Sequence, residues 1–190
     1  MTSKLITPAT AQAVTLAEAK AHLRVDNVDE DVLITSMITT ATEACEQEMG
    51  GRAIMPQTWE IALDAFPAAF ELTRIPASSI VSLKYIDVAG VQQTIGSTLY
   101  ALDDRNDFGW HYVVPAYQTN WPTPRDEINA VLLRYVAGYA NAAAVPESIK
   151  SWIKLQVGAM FENRMSEGKM QTHQLGYANR LLDRYKLWYI

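Results

Sequence analysis

Three histidines, one cysteine and an aspartate-rich loop are the residues whose chemistry could serve a substrate or a metal, and their spacing argues against each use. His22, His111 and His173 fall in stretches that read as a helix, a strand and a polar linker, with no interval suited to a shared metal; surface or satisfied histidines are the reading. Asp103–Gly109 has the composition of a calcium loop, but a register begun at Asp103 puts Arg105 at the third ligand position. A register begun at Asp104 puts Phe108 at the fifth, so neither supplies the oxygens required and a solvated turn is expected. Cys45 lies on the apolar side of a helical pattern, where a small buried hydrophobe fits better than a reactive thiol. Glu60, Asp64 and Glu71 are isolated outward positions on strands rather than a convergent pair, and no nucleophile elbow, P-loop or dinucleotide fingerprint occurs. The reading is a protein that is not an enzyme and uses no cofactor or metal.

The elements around these residues begin with a capping box. Thr15 and Glu18 can each take up an orphan amide at a helix start, so a first helix opens near Leu16, buries Leu16, Ala19 and Leu23, and ends by Val25. The acidic run Asp26–Asp31 suits the positive end of a second helix, with Asn27 or Asp29 as the cap. Ile34, Ile38, Ala41 and Cys45, with Leu33, Met37 and Ala44 beside them, draw a broad apolar face from Asp29 to Met49, and Gly50 and Gly51 stop it. A helix of ~20 residues spans about 30 Å, the width of a small domain.

After Pro56 the period becomes two. Trp59, Ile61 and Leu63 alternate with polar neighbours; Phe70 and Leu72 form a short run; Ser79–Asp87 places Val81, Leu83 and Tyr85 on one face with Ile80 opposite. A turn at Ala89–Gly90 leads to Val91–Ile95 as a hairpin. Leu99–Leu102, Trp110–Val114 and the nearly all-apolar Glu127–Val136 complete an antiparallel sheet of about five to seven strands. Pro146 then opens a helix to Met165 carrying Ile149, Trp152, Ile153, Val157, Met160 and Phe161, and Ser166–Gly176 reads as a polar linker.

The fold class expected is α+β: a helical core of two long packed helices plus short N-terminal and C-terminal helices, with an inserted antiparallel β-sheet subdomain. The divisions are 1–13 as an extended N-terminal arm, 14–56 and 138–165 as the helical core, 57–137 as the β insert, and 166–190 as linker and docking helix. A chain of 190 residues, 49% hydrophobic and 19% charged, can close such a core. No apolar run suits a membrane span and the first residues do not read as a signal peptide, so a cytoplasmic, membrane-free protein is expected.

The formal charge of −5 argues against a general nucleic-acid binder, yet it is unevenly spread. From Lys150 onward seven basic and three acidic residues give +4, and the other nine basic and 18 acidic residues give −9. The basic end carries a helical stripe of Tyr177, Leu181, Leu182, Tyr185, Trp188 and Tyr189. With Arg180, Arg184 and the final Ile190, it is read as a face for a protein partner, the alternative being that the stripe folds back on its own domain.

Val14–Val25, Ile38–Glu46, Gly51–Trp59 and Val145–Lys154 with Phe161–Arg164, in this order and spacing, resemble the head-tail connector (adaptor) proteins of long-tailed bacteriophages and gene transfer agents. The resemblance implies a non-enzymatic subunit of a homo-oligomeric ring, a dodecamer in the family. That ring sits beneath the portal protein at the head-tail interface of the virion, is assembled in the host cytoplasm, and meets a tail-side connector or stopper protein. DNA would pass through its channel without sequence-specific binding. The competing class is a small soluble α+β enzyme or ligand-binding domain using the sheet as a pocket, which requires a cavity lined with convergent polar groups.

Overall fold

The structure, a computed structural model, describes residues 1–163 and 176–187. Most of the expected Ser166–Gly176 linker, His173 with it, lies outside these residues, as do Trp188, Tyr189 and Ile190. The architecture is α+β with antiparallel sheets, in two compact units: residues 1–10 with 55–140, and residues 11–54 with 141–190.

The helical unit starts at α1 (Leu16–Leu23), where the Thr15 amide donates to Glu18 Oε2 at 2.7 Å and the Glu18 amide donates to Thr15 Oγ1 at 3.2 Å, forming the expected capping box. Arg24, in the left-handed region, closes it. In α2 (Asp31–Glu48) the residues Ile34, Met37, Ile38, Ala41 and Cys45 are buried, following the 3.6 period. Neither Asn27 nor Asp29 caps it: Glu30 occupies the N-cap without a side-chain capping hydrogen bond, and Lys20 holds the entry by donating to Asp31 and to the Asn27 carbonyl. Leu33 and Ala44, expected on the apolar face, are exposed, because the stripe the fold covers is narrower than the apolar pattern. Pro146 is the N-cap of α3 (Glu147–Glu162), which buries Ile149, Trp152, Ile153 and Val157 and packs against both α1 and α2. Burying each large aliphatic contributes about 1.5–3 kcal/mol, which offsets the weak helix propensity of the Thr residues in α2. The described C-terminal residues begin with α4 (Gly176–Arg180).

The other unit holds two sheets where the alternation alone had suggested one. The larger has the order β1-β2-β8-β4-β5, comprising β1 (Thr2–Thr7), β2 (Gln57–Leu63), β4 (Ala77–Ile86), β5 (Gln92–Ile95) and β8 (Val131–Ala137). The smaller, β3-β7-β6, is built from β3 (Phe70–Glu71), β6 (Tyr100–Asp103) and β7 (Tyr112–Pro115). Within residues 1–13, expected as an extended arm, Thr2–Thr7 form edge strand β1, pairing Leu5 with Trp59 and Ser3 with Ile61.

Central β8 alternates strictly, with Val131, Leu133, Tyr135 and Ala137 buried. Against it, β4 shifts register between Ala77 and Ser79 and again between Ile80 and Ser82. Ser78 and Val81 are therefore the extra residues of two bulges, each of which moves later side chains to the other face. Val81 is exposed, and Ile80 rather than Val81 lies opposite the buried Tyr135, reversing the expected faces between the bulges, while Leu83 and Tyr85, opposite Leu133 and Val131, keep theirs because the two shifts cancel. The 87–91 turn forms the expected hairpin: Gly90, at φ +84°, donates to the Asp87 carbonyl, and the Asp87 carboxylate accepts from the Ala89 and Val91 amides. Phe66 stacks on Trp121 with centroids 5.2 Å apart, while Phe70 meets the same indole edge-on.

Candidate assembly surfaces

Each polar group that reads as chemistry in the sequence and is buried in the structure serves the fold. His111 precedes β7 and is buried; its Nδ1 accepts from the Ala77 amide at 3.1 Å, so the neutral ring carries its proton on Nε2, which donates to the Asn106 carbonyl at 3.1 Å. The Asp103–Gly109 segment is a turn in which Asn106 Oδ1 accepts from the amides of Phe108 and Gly109. Cys45 is fully buried, and burial pushes its thiol far up, leaving it protonated and inert. Glu60 pairs across β2 and β8 with Arg134, which donates through Nε at 3.0 Å and Nη2 at 2.7 Å to one carboxylate oxygen. Tyr135, whose phenol is raised by burial, accepts from the Arg74 amide at 2.9 Å. Among the described residues no three or more His, Cys, Asp or Glu side chains converge as a metal site would need, and no helix is long and apolar enough to cross a membrane.

The C-terminal segment differs from the single stripe expected. After α4 the chain turns at Leu181–Leu182 and forms a 3-10 turn over Asp183–Tyr185, so 177–187 is not one helix. Leu182 and Leu187 are buried, Leu181 and Tyr185 half-buried, and Tyr177, Arg180 and Arg184 exposed. The segment is tied to its own unit at several points. The Leu187 amide donates to the Met49 carbonyl at 3.0 Å, Lys186 meets Glu48 at 2.9 Å and Asp183 at 3.6 Å, and buried Arg52 donates through Nε to the Tyr185 carbonyl at 3.0 Å. The Arg52 guanidinium also lies over the Tyr185 ring at 6.0 Å. Gly50, at φ +75°, admits this close approach: a Cβ there would lie 2.7 Å from the Leu187 carbonyl oxygen. Of the stripe's described members, Leu182 faces its own unit and Leu181 and Tyr185 do so in part, while Tyr177, Arg180, Asp183 and Arg184 are exposed.

Sequence reasoning missed the partnership of Arg52 with this segment. The signal available was a lone cation beside the Gly50–Gly51 stop, in a stretch otherwise free of charge up to Trp59.

A second surface is the outer side of α2. Val32 is 85% exposed and Leu33 36%, and Ser36, Thr39, Thr40, Glu43, Ala44 and Gln47 continue the same side.

A search of curated proteins finds no match. The chain is similar over its whole length to a chain in the virion of a native gene transfer agent particle, with 21% identity, 97% of that chain covered and a TM-score of 0.79. It is similar as well to one in the neck of an empty particle with C6 symmetry (21% identity, 100% and 97% coverage, TM-score 0.80) and to one in the neck of a native particle with C12 symmetry (19%, 100% and 97%, TM-score 0.77). The fold is therefore one found in those necks. Residues 13–87, from the lead-in to α1 through β4, match the model of the family described as Phage gp6-like head-tail connector protein.

Proposed function

We propose that this protein is a structural head-tail connector subunit, working in the virion at the head-tail interface as one member of a ring beneath the portal that extends the DNA channel toward the tail. The observation that carries this reading is the family match over residues 13–87, joined to a fold shared along the whole chain with subunits of particle necks. Twelve copies is the proposed count, after the C12 symmetry of one such neck. The two long helices α2 and α3 form the framework of the subunit, and residues 55–140 are an insert upon it.

The chemistry of the subunit agrees with a structural role: His111, Arg52, Tyr135 and Glu60 are each engaged in holding backbone or a cross-strand partner. The partner-binding residues proposed are Tyr177, Arg180 and Arg184, which are exposed, and Trp188, Tyr189 and Ile190, which lie outside the described residues, since aromatic and arginine side chains most often carry interface energy. The charge split of −9 against +4 suits complementary faces on adjacent copies or on the portal. Such contacts weaken as salt rises, because at ~1 M the Debye length falls to about 3 Å.

Cryo-electron microscopy of the purified protein mixed with its portal tests this reading. A ring stacked coaxially on the portal is expected at low salt; absence of any ring at every salt concentration overturns it.

A further inference from the structure

Resting on the ring reading above, we infer that the outer face of α2 is one half of the contact between neighbouring copies of this chain, and that the exposed surface of Tyr177, Arg180 and Arg184 is the other half. From Val32 to Gln47 the exposed positions of α2 include a single charged residue, Glu43. A solvent-facing helix side is ordinarily rich in Lys and Glu, which are good helix formers and keep the surface wet. Here Val, Ser and Thr occupy positions where the subunit's own packing does not require them, against helix propensity.

The hydroxyls on this side do not turn it polar. Ser36 Oγ donates to the Leu33 carbonyl at 2.7 Å, Thr39 Oγ1 to Thr35 at 3.2 Å, and Thr40 Oγ1 to Ser36 at 3.1 Å. Each of these hydroxyls thus gives its proton to a carbonyl of its own helix, Thr39 Oγ1 also accepting from Gln12 Nε2 at 3.3 Å, which leaves the side with few free donors beside Val32, Leu33 and Ala44. Val28, 72% exposed just before the helix, extends the apolar area. A dry, flat side of this kind packs well against another protein surface and poorly against water.

Charge chooses the occupant. Exposed acids accompany this side, Asp26 and Asp29 before its start and Glu43 within it. The same unit exposes Tyr177, Arg180 and Arg184 in its C-terminal segment, where the exposed acid Asp183 is already met by Lys186 at 3.6 Å. Two different but complementary surfaces on one chain make a head-to-tail contact, which repeats from copy to copy and closes into a ring rather than stopping at a two-fold dimer.

The test uses the full chain with its portal and two double variants, S36R/T40R on α2 and R180E/R184E on the basic surface. All four positions are exposed, and each variant is checked for native circular dichroism and melting. Each alone is expected to lose the ring, by repulsion at every contact. Mixed in equal amounts they are expected to recover it: new arginines then meet new glutamates at one contact, and unaltered surfaces meet at the next. Either variant forming rings alone, or a mixture that fails to restore them, overturns the pairing while leaving the ring itself standing. Wild-type protein that forms no ring overturns the proposed function and this inference together.

Discussion

Helices α2 and α3 are of similar length, both amphipathic, and in contact with each other, yet the fold uses them differently. In α3 only Glu147, Ala159 and Glu162 are exposed, with α1, α2 and α4 all touching it. In α2 half of the residues, nine of the 18, face outward, and most of them are small or apolar. One helix is consumed by its own subunit and the other holds a face in reserve. Burial alone thus separates a helix that stabilises the fold from one that is free to serve assembly.

The sharpest break in that comparison is Trp152→Ala. Trp152 is 5% exposed in the middle of α3, so the truncation should cost about 3–5 kcal/mol as a large-to-small core change and lower the melting temperature markedly. An unchanged melting curve would mean that α3 is not the central helix of its unit. Next in size is Gly50→Ala at the end of α2. A left-handed residue other than glycine costs of order 1–3 kcal/mol, and the added Cβ would meet the Leu187 carbonyl, so both stability and protection of the 181–187 segment from proteolysis should fall. A variant as resistant to protease as the wild type would show that the segment is not seated there.

The matching change on the reserved face, Thr40→Ala, should move stability by no more than about 0.5 kcal/mol in chemical denaturation, since it removes only an exposed methyl and a hydroxyl bonded to its own helix. A loss as large as that of Trp152→Ala would erase the distinction between the helices. The smallest effect is at α1. Bonds from the Thr15 amide and hydroxyl hold the Glu18 carboxyl below its usual range, with Lys150 and Lys154 of α3 adding a lesser pull. A carboxylate lowered in the folded state stabilises above its unfolded pKa, and that contribution is lost as pH falls through the folded value. Acid titration followed by NMR should therefore show Glu18 titrating below the usual glutamate range, and Thr15→Ala should bring it back toward that range.

How much of this was legible in the sequence follows the range of the forces involved. The capping box at Thr15, the buried positions of α2 and α3, and the 87–91 hairpin all depend on residues a few positions apart, and all could be read directly. The bulges at Ser78 and Val81 could not, because an extra residue in a strand leaves the apolar alternation looking intact while reversing its faces. Strand β1 was hidden for a different reason: five of its six residues are exposed, so backbone pairing with β2 rather than an apolar pattern holds it. The C-terminal stripe pointed to burial but not to what would cover it, and the seat beside Met49 and Gly50 is about 135 residues away along the chain. The outer face of α2 was partly concealed by its own composition, since Leu33 and Ala44 count as apolar in any periodicity and were drawn into the core stripe.

The central claim, that this subunit builds a ring on the portal, is tested most directly by cryo-electron microscopy of the wild-type protein with portal at low salt. The account predicts a closed ring coaxial with the portal, with neighbouring copies joined along the outer side of α2. Portal particles bare of this protein, or carrying isolated copies with α2 facing solvent, would contradict it.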